Sequence, residues 1–158
     1  MKIIRDRPES VDLREFLSRP LFGFFATASE FGPRVSPVWF LWEDAAIWII
    51  GNRRTDTFPI RVDSEPHSAI AFVDFDVSTG LVHHVGMRGR ASVEDWNKDR
   101  AKQILRRYLG PNEEHWERER FVEPLDDPDN LLVRFTPETV VTRDQSYRVR
   151  TSGSGRSS

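Results

Sequence analysis

The sequence contains no cysteine. This absence excludes disulfide bonds, cysteine-ligated zinc, iron–sulfur clusters and thiol catalysis. The longest apolar runs, residues 21–28 and 45–50, fall far short of the roughly 20 residues that a membrane-spanning helix needs. An excess of charge is also absent, because 23 Lys and Arg residues face 25 Asp and Glu residues in the 158-residue chain, a net charge of −2. We therefore expect a cytoplasmic protein with neither a membrane nor a nucleic acid as its partner.

The sequence motifs of common catalytic sites are missing as well. There is no nucleophile elbow, zinc-protease helix, Walker loop or dinucleotide fingerprint. His115 and Glu119 could share a metal ion on a helix, but a third ligand is not evident, and a solvated helix face explains them more simply. His83 and His84 are adjacent on a predicted strand and must point to opposite faces. We predict no metal site, and His84 is the candidate for an acid–base role.

Strands dominate the predicted secondary structure. Apolar runs bounded by turn residues predict six strands, at residues 21–30, 34–42, 46–51, 67–75, 81–94 and 131–143, the last being either a bent strand or a strand pair. Helices are predicted over residues 12–19 with Ser10 as the cap, in a short segment capped by Asp56 or Thr57, over 95–109 and over 112–121. The short spacings between strands favour a small antiparallel barrel with peripheral helices. We expect one domain over residues 1–147 and a flexible tail over 148–158.

Proline and glycine mark irregular points in these strands. Pro37 cannot donate to a strand ladder, so its strand should lie at an edge, in a bulge or beside a break. A break of that kind would leave backbone N–H and C=O groups free to meet a flat polar ring. Gly86 and Gly89 in the fifth strand indicate a bulge or a close backbone approach.

Two groups of arginines are candidates for binding an anion. The third strand leads into Asn52, Arg53, Arg54, Thr55 and Thr57, just ahead of a helix. Arginines, hydroxyls and free helix N–H groups together suit a phosphate. Arg88 and Arg90 share one face of the fifth strand and could carry positive charge to a ligand. In both cases the alternative is a set of arginines that are simply solvated.

The order of four sequence segments along the chain is more informative than any one of them. GPRVSPVWFLWED is followed by IWIIGNRRTDTFPIRVDSEPHSAIAFVDFD, then by HHVGMRGRASVE and by the helix DRAKQILRRYLG. Over roughly residues 12–147 this order resembles the pyridoxamine 5'-phosphate oxidase-like superfamily of flavin-binding split barrels. The resemblance implies a mainly β fold, a six-stranded antiparallel split barrel, and a homodimer with two FMN sites at the subunit interface.

The resemblance also implies roles for particular residues. Those lining the flavin ring would be Ser36, Pro37 and Val38, and those reaching the ribityl chain and phosphate would be Asn52, Arg53, Thr55 and Thr57, with Arg88 contributing from the fifth strand. Many members of the superfamily carry a lysine in the segment that corresponds to residues 55–67. This chain has none there, so Arg53, Arg54 or Arg61 would have to supply the charge.

The resemblance implies a flavin-dependent oxidoreductase, with hydride transfer between bound FMN and a small-molecule substrate or a nicotinamide. A different possibility is a module that binds a flavin, a deazaflavin or haem without turnover. A barrel without any cofactor, retained for protein contacts, is a third.

Overall fold

The computed structural model describes residues 1–6 and 11–150, and in that part of the chain eight strands form one sheet. The strands are β1 (Lys2–Arg5), β2 (Gly23–Ser29), β3 (Gly32–Val38), β4 (Leu41–Glu43), β5 (Ala46–Asn52), β6 (His67–Asp76), β7 (Leu81–Glu94) and β8 (Asn130–Asp144). Their order is β3-β2-β6-β7-β8-β5-β4, and β1 pairs with β8. All pairings are antiparallel except that of β1. The predicted mainly β antiparallel fold is confirmed.

The number of strands differs from the predicted six for two reasons. The predicted strand over residues 34–42 breaks at Trp39 and Phe40, so β3 and β4 are separate and lie at opposite ends of the sheet order. The edge strand β1 was not predicted, because all four of its residues are exposed and show no apolar alternation. It gains its order from parallel pairing of Lys2–Arg5 with residues 139–142 of β8.

The core lies on the inner side of the curved sheet. Phe25, Ile70, Phe72, Met87 and Phe135 are almost completely buried there. The ring of Phe25 meets the rings of Phe58 and Phe135 edge to face, at centroid distances of 6.1 and 6.2 Å. Side chains that alternate along each strand therefore divide into a buried inner set and an outer set.

Three α-helices are present in the described residues: α1 (Leu13–Ser18), α2 (Phe58–Ser64) and α3 (Lys98–Leu109). Asp12 caps α1 by accepting a hydrogen bond from the Glu15 N–H at 3.0 Å, whereas the predicted cap, Ser10, lies outside the described residues. Thr57 occupies the cap position of α2 without making a capping hydrogen bond. No helix in the described ranges is long and apolar enough to span a membrane.

The prediction of a helix over residues 112–121 is wrong. The chain forms a 3₁₀ turn at Glu113–His115, a π turn at Arg118–Val122 and a second 3₁₀ turn at Glu123–Asp126. These residues are mostly charged and lack the continuous apolar stripe that holds a regular helix against a core. We call residues 113–126 the capping segment.

The strand β8 is one continuous strand, and its register with β7 shifts at Gly89. A Cβ atom at Gly89 would lie 2.1 Å from the carbonyl oxygen of Thr136, whereas one at Gly86 would meet nothing within 4 Å. The predicted irregularity is therefore confirmed at Gly89, where the backbones approach closely. After β8, Tyr147 N–H donates to the Gly80 carbonyl at 2.9 Å, while residues 151–158 of the predicted tail lie outside the described residues.

These two glycines give a matched pair of variants. Gly89→Ala should lower the free energy of unfolding by about 1–3 kcal/mol, because the added methyl group overlaps the backbone of β8. Gly86→Ala adds the same methyl group where there is room, and it should change stability by less than about 0.5 kcal/mol. Urea unfolding of both variants measures the difference, and equal destabilisation would contradict the close approach.

Candidate cofactor and substrate site

Two strand edges are left open where the sheet fails to close into a barrel. β3 is the terminal strand of the sheet order. On the other side, β4 pairs only with Ala46–Trp48, so in the described part of the chain residues 49–52 of β5 have a strand neighbour only in β8. Pro37 lies in this terminal strand, next to the break, as predicted. Open strand edges present backbone N–H and C=O groups that can bind a ligand.

A cavity of about 520 Å³ lies at this opening. Pro37 and Val38 of β3 lie on one side, and Ile49 and Ile50 of β5 on another. The remaining lining comes mainly from α2, α3 and the capping segment: Phe22, Trp39, Asp56, Phe58, Trp96, Ile104, Leu105, Arg120, Phe121, Pro124, Leu125 and Asn130. Such a largely apolar cavity with a few polar groups is typical of small-molecule sites.

An aromatic stack fixes one wall of the cavity. The Trp39 ring lies parallel to the Tyr108 ring at a centroid distance of 4.5 Å and stacks on Phe121 at 5.8 Å. The Tyr108 hydroxyl donates to the Leu21 carbonyl at 2.7 Å and accepts from the Phe40 N–H at 3.1 Å. The break between β3 and β4 is therefore held against α3 and the capping segment.

The loop after β5 uses its polar groups largely on itself. The Asn52 side-chain oxygen accepts hydrogen bonds from the N–H groups of Arg54 and Thr55, at 2.9 and 3.2 Å. Asp56 accepts from the Asn52 N–H at 2.8 Å, and burial raises the pKa of the Asp56 carboxyl. The Asn52 amide also donates to Asn130 at 3.0 Å. The loop is consequently held in shape by its own hydrogen bonds.

The two arginines of this loop already have acidic partners. Arg53 lies 3.6 Å from a carboxylate oxygen of Asp63. Arg54 lies 3.0 Å from Asp127 and 3.5 Å from Asp129. Their positive charges are thus partly neutralised within the chain.

Arg34 and Arg61, in contrast, have no ion pair among the described residues. Arg61 donates to the hydroxyls of Thr27 and Thr57, both at 2.7 Å. Burial lowers the pKa of Arg61, and the positive charge of Arg34 lowers it further. Arg34 is the cross-strand neighbour of Thr27, so the two arginines flank the same threonine. Two adjacent cations without a carboxylate form a ready site for an anion.

Sequence reasoning considered Arg61 but missed Arg34. Arg34, Ser36 and Val38 alternate with Val35 and Pro37 along β3, so the first three share the inner face. That alternation could have placed Arg34 beside the ring-lining candidates. The predicted set Ser36, Pro37 and Val38 does not share one face, and of these Pro37 and Val38 line the cavity.

Arg88 and His84 lie on the outer face of the sheet, away from this cavity within the chain. Arg88 is exposed and lines a groove with Ala26, Ala69 and Thr139. His84 lines a separate pocket of about 180 Å³. His83 points to the opposite face, as predicted, with Nε2 at 3.6 Å from an Asp144 carboxylate oxygen.

The outer face is apolar and exposed. Phe24, Val35 and Val73 are 42%, 63% and 44% exposed, and small residues such as Ala71 and Gly86 lie between them. Apolar patches of this kind are typical of surfaces that bind another protein.

His115 and Glu119, the pair considered as metal ligands, fall in separate turns. No three metal-ligating side chains converge within the described ranges.

The family model for pyridoxamine 5'-phosphate oxidase matches residues 11–144 of the sequence. The chain belongs to this family. The match covers every strand except β1 and all of the cavity lining, and it agrees with the resemblance inferred from the sequence. No functionally curated protein matches the chain.

Several solved structures share the fold of this chain. A conserved hypothetical protein from Mycobacterium tuberculosis has a TM-score of 0.71 at 18% identity, covering 94% of this chain and 98% of its own. A protein described as an F420 reductase has a TM-score of 0.64 at 21% identity, with coverages of 85% and 98%. The haem storage protein HutZ from Vibrio cholerae has a TM-score of 0.62 at 17% identity, with coverages of 85% and 92%. At these identities the likeness shows the split-barrel fold alone.

Proposed function

We propose that this chain is a flavin-dependent oxidoreductase that binds FMN and acts as a homodimer in the cytoplasm. The observation that carries the proposal is the Arg34–Arg61 pair, which lies beside an open strand edge and has no carboxylate partner in the described residues. Hydride would pass between the flavin and a small-molecule substrate or a nicotinamide. A bound flavin supplies this redox chemistry itself, and the protein supplies binding, orientation and electrostatics.

The phosphate of FMN fits the Arg34–Arg61 pair. Two neighbouring guanidinium groups repel each other, and a phosphate dianion between them converts this repulsion into attraction. The Thr57 hydroxyl, which is not used as a helix cap, already contacts Arg61 at 2.7 Å. The two arginines thereby replace the lysine that many relatives carry and that this chain lacks.

The flavin ring fits the open edge of β3. An edge strand has backbone donors and acceptors that can pair with the polar rim of a planar ring. The chain from Ser36 to Val38 provides this edge, and Pro37 and Val38 add apolar surface at the cavity. Asn52, Arg53 and Thr55 belong to the adjoining loop, and we assign them contacts with the ribityl chain.

A homodimer would bring the outer-face residues into the site. The exposed apolar patch around Phe24 and Val35 would be buried against a second copy of the chain, since isologous interfaces use one surface of each subunit. Arg88 and His84 lie on this same face. In the dimer they are our candidates for a further phosphate contact and for an acid–base group, respectively.

A module that binds a deazaflavin without turnover is the second candidate. One observation favours keeping it: two adjacent arginines without an ion pair in the described residues suit any phosphate, and FMN and deazaflavin cofactors both carry one. The pair therefore does not select between these cofactors.

The visible absorption spectrum of the purified protein should show the double band of a flavin. Heat-released chromophore should have the mass of FMN, and the holoprotein should oxidise a reduced nicotinamide. A single band with a larger released mass would instead support a deazaflavin, and a Soret band would support haem. A colourless protein that takes up no added FMN would contradict the proposal.

Arg34→Ala should weaken FMN binding by about 1.5–3 kcal/mol, the scale of a lost hydrogen bond to a charged group. Arg53→Ala is the comparison variant: Arg53 is paired with Asp63 and is assigned to the ribityl chain rather than to the phosphate, so its effect should be smaller. Flavin fluorescence quenching gives both dissociation constants. If Arg53→Ala weakens FMN binding as much as Arg34→Ala or more, the phosphate site would have to be assigned to the loop after β5 instead.

The flavin-loaded protein should have a solution mass of about 37 kDa, twice the 18.4 kDa of one chain. Light scattering after size-exclusion chromatography measures this mass. Ala71→Asp, which puts a charge in the outer apolar face, should shift the mass toward that of the monomer and weaken flavin binding. A wild-type monomer with full flavin affinity would contradict the shared site.

A further inference from the structure

The far wall of the cavity is held in place by several hydrogen bonds. Trp96 Nε1 donates to the Leu125 carbonyl and Trp116 Nε1 to the Gly110 carbonyl, both at 3.0 Å. Lys98 lies 2.7 Å from an Asp126 carboxylate oxygen. The capping segment therefore forms a built wall, although it contains no α-helix.

This wall carries Arg120, and the loop after β5 contributes Asp56 to the same lining. They are the charged side chains among the described residues that line the cavity. The Arg120 guanidinium lies 5.3 Å from the Phe121 ring centre and has no ion pair within the described ranges. Asp56 uses Oδ2 to accept the Asn52 N–H.

We propose that the cavity binds a ring-bearing organic acid with a single carboxylate, which Arg120 holds. The apolar and aromatic lining binds the ring, and a guanidinium group matches a carboxylate with two parallel hydrogen bonds. A cavity of about 520 Å³ lies within the range of small-molecule sites. That this ligand is the substrate rests on the proposed function, because Pro37 and Val38 line both the cavity and the strand assigned to the flavin ring.

The charges also indicate what the ligand is not. A phosphate dianion is held by several donors, as at Arg34 and Arg61, whereas this cavity offers one guanidinium. The carboxyl of Asp56, which also lines the cavity, disfavours a second anionic group on the ligand. The ligand class is therefore a monocarboxylate whose other polar groups are uncharged or donate hydrogen bonds.

Three naphthalene probes test this class by isothermal titration calorimetry: 2-naphthoate, 2-naphthalenemethanol and 2-naphthyl phosphate. We expect 2-naphthoate to bind about tenfold more tightly than 2-naphthalenemethanol, the scale of a hydrogen bond to a charged group. Arg120→Ala should abolish that difference without weakening the alcohol. Arg118→Ala removes an exposed arginine of the same turn that does not line the cavity, and it should leave the difference unchanged.

The proposal is overturned if the wild-type protein binds the acid and the alcohol equally, binds neither, or responds to Arg118→Ala as it does to Arg120→Ala. An Arg120-dependent affinity for 2-naphthyl phosphate above that for 2-naphthoate would also overturn it. The same titrations on Arg34→Ala separate this proposal from the proposed function. Arg120-dependent naphthoate binding in a protein that takes up no flavin would sustain the ligand class and reject the flavin enzyme, and flavin binding without naphthoate binding would do the reverse.

Discussion

The failure of the sheet to close between β3 and β5 is the constraint on which the rest of the molecule depends. Pro37 removes one donor near the end of β3, and the chain then breaks at Trp39 and Phe40 instead of continuing as a long strand. Two strand edges are left facing a common space. Helix α2 closes one side with Phe58 and Val62 in the core, while α3 and the capping segment close the other, so a cavity remains between them.

Ion pairing, more than the presence of arginine, decides which positive charges around this opening can bind a ligand. Arg53 and Arg54 follow β5 and look suitable in the sequence, yet Asp63, Asp127 and Asp129 compensate their charges. Arg34, Arg61 and Arg120 have no such partner in the described residues. A net charge of −2 over the chain is therefore compatible with local sites where positive charge is not compensated.

Local chemistry made much of the fold predictable, and long-range contacts account for the errors. Alternating apolar residues and turns located the strands, and Pro37 and Gly89 marked the edge and the bulge because their backbone restrictions act at single residues. The strand β1 escaped prediction because it is ordered only by pairing with residues 139–142, far along the chain. Arg34 escaped for a related reason, since its significance comes from Arg61, which reaches it through Thr27 across two elements.

The loop after β5 and residues 127–130, which follow the capping segment, are built as one unit. Asn52 donates to Asn130 at 3.0 Å, the Arg53 N–H donates to the Asp129 carbonyl at 2.9 Å, and Arg54 bridges Asp127 and Asp129. The residues that follow the capping segment are thus tied to the loop that carries Asp56 by backbone and side-chain bonds together. Because Asp56 and Asn130 both line the cavity, these bonds also hold in place the part of the cavity wall that the two residues form.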